Sequence, residues 1–190
     1  DALPVGSRPY GIKMAPDGSV WVVYFGSNKL AHINPDTLAH EEIELPRSDA
    51  RPRRLEVLAD GRVWYVDYAK GMLGVYDPAN ENFTEWQMPQ GAGSRPYGMA
   101  SDSSGNLWMA ASGVQPNVFM GFNPETEEFF GATEIDSGGG TIRHMHYHEP
   151  SGTVWQASRE PSSRPGALSS MSSSSSLDSG QDSSPARPIM

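Results

Sequence analysis

Three histidines, His144, His146 and His148, stand at i, i+2 and i+4 in the run TIRHMHYH. In an extended chain that spacing puts all three imidazoles on one face, and zinc is held by ligands of this kind. The same spacing also serves one histidine lining a channel and two that hydrogen-bond separately, because no carboxylate that would orient them is visible in the sequence. A second group joins Asp67 and Arg53. Asp67 interrupts the apolar run VWYVDY, where a buried carboxylate needs a charged partner. Arg53 precedes it by 14 residues, the separation that also relates Tyr10 to Tyr24, so an Arg53–Asp67 ion pair across one hairpin is expected. Arg8, Arg51 and Arg95 each precede a proline, whose ring pushes the residue before it into an extended conformation. Their guanidinium groups either ring one end of a common axis and attract an anionic or carbonyl-rich ligand, or brace neighbouring loops. Tyr10 and Tyr97 are amphipathic rings that suit packing or ligand contact equally.

The elements that must position these groups follow from an internal repeat of about 43 residues that restarts at Tyr10, Arg53, Tyr97 and His144. Tryptophans fall at Trp21, Trp64, Trp108 and Trp155, spaced by 43, 44 and 47 residues. Glycine turns recur with them at Gly18, Gly61, Gly105 and Gly152, and Asn-Pro or Asp-Pro pairs at Asn34, Asp77 and Asn123. Between these marks lie short runs rich in β-branched and aromatic residues, so each unit reads as a meander of four short antiparallel strands. The second strand of each unit is apolar on both faces and must be covered on both. Sheets fanned around an axis do this, and a β-sandwich gives no reason for a fixed 43-residue register.

The fold class expected is therefore all-β: an incomplete β-propeller of four-stranded antiparallel blades, about three and a half of an expected seven. The blades run over about 10–46, 53–89, 97–135 and, in part, 141–158, giving a propeller region of 1–158. Beyond it, 12 of the 30 residues from Pro161 to Met190 are serine, so 159–190 reads as a serine-rich disordered tail. Two bare blade faces imply missing blades or self-association. The net charge of −9 is dispersed, with no basic stripe for nucleic acid, and no apolar run is long enough to span a membrane. The chain has no cysteine, which leaves cytoplasmic and periplasmic or secreted locations equally open.

The repeated phrase RPYGI, a DG turn, VW, a strand ending in NP and a segment such as FTEWQMP resembles the virginiamycin B lyase (streptogramin lyase) family, from about Leu3 to Trp155. The resemblance implies a seven-bladed ring and a carbon–oxygen lyase that opens a cyclic depsipeptide antibiotic at its ester by elimination, with Mg2+ and a histidine as general base. That role falls on His144, with Tyr10, Arg53, Asp67 and Tyr97 as substrate contacts and His144, His146 and His148 as metal candidates. Asp67 takes the place of the family's acidic residue after the tryptophan. The acidic partner of His144 is expected near Ser158 and Arg159, where this chain has none. The alternatives are a non-catalytic propeller that binds a small ligand or protein partner through its channel, and a calcium-dependent sugar-lactone hydrolase, which needs several channel carboxylates.

Overall fold

The computed structural model describes residues 3–159 and 168–172. Three four-stranded antiparallel sheets follow one another along the chain. The first holds β1 (Pro9–Met14), β2 (Val20–Tyr24), β3 (Lys29–Ile33) and β4 (His40–Glu44). The second holds β5 (Pro52–Val57), β6 (Val63–Asp67), β7 (Met72–Asp77) and β8 (Asn82–Gln87). The third holds β9 (Pro96–Ser101), β10 (Leu107–Ala111), β11 (Val118–Asn123) and β12 (Glu128–Glu134). A fourth sheet has three strands, β13 (Thr141–His148), β14 (Thr153–Arg159) and β15 (Leu168–Ser172).

Strand β15 lies within the segment from residue 159 onward for which disorder is expected from sequence. A strand edge accepts any partner backbone that can satisfy its N–H and C=O groups, so even a serine-rich stretch pairs along β14. Residues 160–167 and 173–190, on which the rest of that expectation falls, lie outside the described residues.

Each sheet is one blade, and its first strand lies nearest the axis: β1 packs beside β5, β5 beside β9 and β9 beside β13. The core lies between blades. Trp21 packs with Leu55, Val63, Tyr65 and Tyr76 of the second blade. Trp64 packs with Met99, Leu107 and Met109 of the third, and Trp108 with Ile142 and Val154 of the fourth. The tryptophans are thus blade core, each facing the following blade, and burying such a ring stabilises the fold by roughly 2–3 kcal/mol.

The turns explain the recurring punctuation. Gly18, Gly61 and Gly105 have φ of 87°, 83° and 80°, where a Cβ would be strained. Asp17, Asp60 and Asp102 accept backbone N–H groups two residues on at 2.9 Å, closing each turn.

All four axial strands break register at the same place. The ladder is regular up to the pairs Pro9–Tyr24, Pro52–Asp67, Pro96–Ala111 and Ile142–Ser158, then shifts. Such bulges re-aim side chains. The residues placed there are Tyr10, Arg53, Tyr97 and Arg143. His144 is therefore one position past the repeat's opening residue, at the register of Gly11, Arg54 and Gly98, which corrects the alignment expected from sequence. The cause is the hairpin between Tyr147 and Val154, one residue longer than that between Met14 and Val20.

Candidate functional site

The four bulges bring a cationic and aromatic cluster together at the axis. The Arg53 guanidinium carbon lies 3.9 Å from the centroid of Phe25, 4.1 Å from Tyr68, 4.4 Å from Tyr97 and 5.3 Å from Tyr10. A guanidinium at these distances is attracted to each ring quadrupole. Tyr10 and Tyr97 touch hydroxyl to hydroxyl. Burial, then the Tyr10 hydroxyl, pushes the Tyr97 phenol above its ordinary value, with Arg53 pulling the other way. Tyr97 is buried and Tyr10 is exposed, so Tyr10 is the ring a ligand meets.

Beside this box, Arg54 extends across the axis to the fourth blade. Its Nε donates to the Arg143 carbonyl at 3.2 Å, and its Nη2 sits 3.3 Å from His144 Nδ1 and 3.4 Å from Nε2. Partial loss of water around the ring first, then the charges of Arg54 and Arg143, holds the His144 imidazole below its ordinary value, which keeps it neutral at neutral pH. Arg54 and His144 share a cleft of about 170 Å³ with Lys13, Glu56, Ile12 and Met99. Lys13 Nζ is 2.7 Å from Glu56 Oε1 across the first two blades, and the Ser101 hydroxyl donates to Glu56 Oε2 at 3.3 Å. Burial raises the Glu56 carboxyl, with Lys13 opposing.

Asp67 is not part of this cluster. It is fully buried, and its partner is Arg47, whose Nη2 lies 2.7 Å from Asp67 Oδ2, not Arg53 as expected. Asp67 Oδ1 accepts the backbone N–H of Arg51 at 3.0 Å and of Ala69 at 2.9 Å. Arg47 also grips Glu85 with Nε and Nη2 at 2.8 and 2.9 Å, and Glu85, ahead of Asp67, pushes its guanidinium further up. The bulge turns Arg53 out of line with Asp67, and the connection from the first blade supplies Arg47 instead. These contacts hold the second blade together and do not by themselves show the channel-facing role that the family resemblance implies for Asp67.

Of the two readings left open for the recurring arginines, bracing of neighbouring loops is the one that the contacts of Arg51 support. Arg8 and Arg95 adopt φ of 46°, in the left-handed region and not extended. The peptides of Gly26 and Gly113 lie so near that a Cβ on either would meet Gly6 O at 1.8 Å or Gly93 O at 2.0 Å. Arg51 Nη1 donates to the Ser48 carbonyl at 3.1 Å and to the Ala50 carbonyl, which is a loop brace.

The side chains of His144, His146 and His148 are exposed, and His148 Nδ1 pairs with Ser151 Oγ at 2.7 Å. Among the described residues no three His, Asp or Glu side chains converge as metal ligands. Magnesium takes oxygen ligands, mainly carboxylates, whereas the axial cluster offers two guanidinium groups, phenols and a Glu56 already bound to Lys13 and Ser101. These residues do not fit that ion.

Sequence reading missed Arg54, Phe25 and Tyr68. The doublet Arg53-Arg54 was one signal, and Phe25 and Tyr68 share the position four residues after the blade tryptophan. Among the described residues no helix is long and apolar enough to cross a membrane.

Comparison with known proteins gives a consistent picture of the fold. A sequence model described as the virginiamycin B lyase family matches residues 2–115. No curated protein matches the chain. Among solved structures, a catalytically inactive virginiamycin B lyase from Staphylococcus aureus with quinupristin superposes with a TM-score of 0.71 at 20% identity, over 82% of this chain and 50% of that one. A streptogramin B lyase gives 0.68 at 20% identity, over 90% and 56%. The hydrazine synthase of Kuenenia stuttgartiensis gives 0.76 at 16% identity, over 90% and 47%. The chain thus spans about half the length of the solved lyases it matches.

Proposed function

This chain belongs to the virginiamycin B lyase family, and from that premise we propose that its axial cluster is a ligand-binding half-site for a carbonyl-rich cyclic peptide of the streptogramin type. The observation that carries this reading is the placement of Arg54 against both the Arg143 carbonyl and the His144 ring, beside the exposed Tyr10. Arg54 already holds one carbonyl oxygen, and a guanidinium fork of this kind receives a second. Tyr10 offers a ring face for an apolar or aromatic ligand group. The cleft of about 170 Å³ takes one such group and not a whole macrocycle, so most of the ligand rests on surface beyond these residues.

The neutral His144 imidazole supplies the proton acceptor that elimination requires. In that step His144 takes the proton from the carbon adjacent to the ester-bearing carbon. The released electron pair forms the carbon–carbon double bond, and the carbon–oxygen bond breaks so that the ester oxygen leaves on a carboxylate. In this reading Arg54, beside His144, stabilises the negative charge that develops. Binding without turnover is the second reading, favoured by the lack of a carboxylate that would orient His144 and of a donor set for magnesium among the described residues.

Titration of the chain with quinupristin, followed by calorimetry, tests the site. Saturable binding that Arg54→Ala weakens by about 10- to 100-fold is expected, the loss of one charged hydrogen bond. Absence of saturable binding, or an unchanged constant for Arg54→Ala, overturns the reading. Appearance of a vinyl proton in the ligand's NMR spectrum, abolished by His144→Ala, separates lyase from binder.

A further inference from the structure

Arg53 and Arg54 follow one another on β5 and share one pair of rings. The Arg53 guanidinium carbon lies 5.3 Å from the Tyr10 centroid and 4.4 Å from that of Tyr97, and the Arg54 carbon lies 5.1 and 5.9 Å from the same two. Tyr10 belongs to the blade before and Tyr97 to the blade after, so three consecutive blades build the surroundings of both arginines. Aromatic faces attract a cation. They do not cancel its charge, and they accept no bond in the guanidinium plane.

Elsewhere in this chain cations are answered by carboxylates. Arg47 has Asp67 and Glu85, Lys13 has Glu56, Lys29 has Glu42, Arg62 has Asp60 and Lys70 has Asp49, all at 2.6–2.8 Å. Among the described residues no Asp or Glu pairs with Arg53, Arg54 or Arg143. Glu56, the carboxylate that lines the cleft beside Arg54, is held by Lys13 and by the Ser101 hydroxyl. A chain of net charge −9 thus gathers guanidinium groups at one end of its axis without a counter-ion among the described residues. The His144 ring registers that charge, since Arg54 and Arg143 add to the loss of water in holding it below its ordinary value. Donors are also unspent. Arg53 Nε is buried without an acceptor. Arg54 commits Nε to the Arg143 carbonyl and Nη2 to His144, which leaves its Nη1 without a partner among the described residues.

We propose that Arg53 and Arg54 form an anion site whose ligand is a carboxylate carried on an aromatic or apolar group. The planar fork of Arg54 receives the carboxylate oxygens, the exposed ring of Tyr10 receives the attached group, and Arg53 adds a second positive charge from within the ring box. Two adjacent cations repel one another until an anion arrives, so the site selects a charged ligand over a neutral amide of the same shape. Inorganic phosphate meets the charge but offers nothing to Tyr10. This goes beyond a neutral, carbonyl-rich ligand and does not depend on the streptogramin reading.

Calorimetric titration of the 190-residue chain with phenylacetate, phenylacetamide and inorganic phosphate is the test. Phenylacetate is expected to saturate the chain at least about 10-fold more tightly than either of the others. Arg54→Gln removes that preference, and added sodium chloride weakens phenylacetate while leaving phenylacetamide unmoved. Arg53→Gln weakens phenylacetate more than Arg53→Lys, which keeps a cation among the rings; circular dichroism checks the fold of each variant. No saturation by phenylacetate, equal binding of the amide or of phosphate, or a preference that survives Arg54→Gln overturns the proposal. Quinupristin binding to a chain that ignores phenylacetate overturns this inference alone, and phenylacetate binding to a chain that ignores quinupristin overturns the proposed function alone.

Discussion

Replacing Asp67 by alanine removes the anion from a fully buried site and leaves four groups without it. Arg47 loses one of its two carboxylates, and the N–H groups of Arg51, Ala69 and Lys70 lose the acceptor that holds the start of β5 to the end of β6. Breaking a buried pair on one side costs about 3–5 kcal/mol, and each orphaned N–H costs about 1–3 kcal/mol. These overlap in one network and do not add, so about 3–5 kcal/mol is the expected total, or a Tm lower by roughly 6–20 °C for a domain of this size. Asp67→Asn keeps the Oδ1 acceptor and Arg47 keeps Glu85, so that variant costs about 1–2 kcal/mol. Guanidinium denaturation followed by tryptophan fluorescence measures both. An Asp67→Ala loss below about 1 kcal/mol, or equal losses for alanine and asparagine, would refute the network. Quinupristin binding by Asp67→Asn is expected to match wild type, because the carboxylate does not reach the axial cleft.

The remaining predictions concern the axis itself. By NMR, His144 titrates below its ordinary value, and Arg54→Gln raises it only in part, because partial loss of water around the ring outranks the Arg54 charge as its cause; a value unmoved by that change would exclude Arg54 as a neighbour. Since protonation of His144 is opposed in the fold, it contributes stability above pH 6.5 that is lost as pH falls through its lowered value, and His144→Gln abolishes that slope in a stability–pH profile. Glu56 has the opposite sign: its raised carboxyl favours the fold at low pH, so its contribution declines as pH rises from 4.5 through that raised value, and Glu56→Gln flattens the profile there. Gly11→Ala destabilises by about 1–3 kcal/mol because its Cβ meets the Arg53 backbone oxygen. Gly98→Ala costs less, since the Met145 side chain that it meets can swing aside; equal chemical denaturation midpoints for the two would contradict this.

The architecture was legible because each blade repeats its own punctuation. Trp21, Trp64 and Trp108 carry one register, and the Asp-Gly turns and Asn-Pro corners leave few alternatives to a meander. The fourth blade was misaligned by one residue because the 47-residue spacing before Trp155 reveals that residues were inserted but not where. The extra residue lies inside the hairpin, so counting back from Trp155 lands on His144 instead of Arg143. The Asp67 partner was hidden for a different reason. Strand pairing puts Pro52 opposite Asp67, but a bulge, which hydropathy does not mark, sends Arg53 toward the aromatic rings. Arg47 belongs to an inter-blade connection that carries no repeat signal. The rule for residues before proline failed at Arg8 and Arg95 because Gly26 and Gly113 admit a close backbone approach that favours the left-handed turn. That Tyr10, Arg53 and Tyr97 share one location was readable from their common repeat position, whereas the contact between Arg54 and His144 joins the second blade to the fourth and leaves no trace in local sequence.

The tyrosine box also ties the order of neighbouring wedges together. Arg53 draws one ring from the wedge before its own and one from the wedge after it, Tyr10 and Tyr97, and those two rings meet through their hydroxyl groups. Sliding either outer wedge away strips the cation of a neighbour on that flank and parts the two phenols, so loosening at one seam is felt at the other.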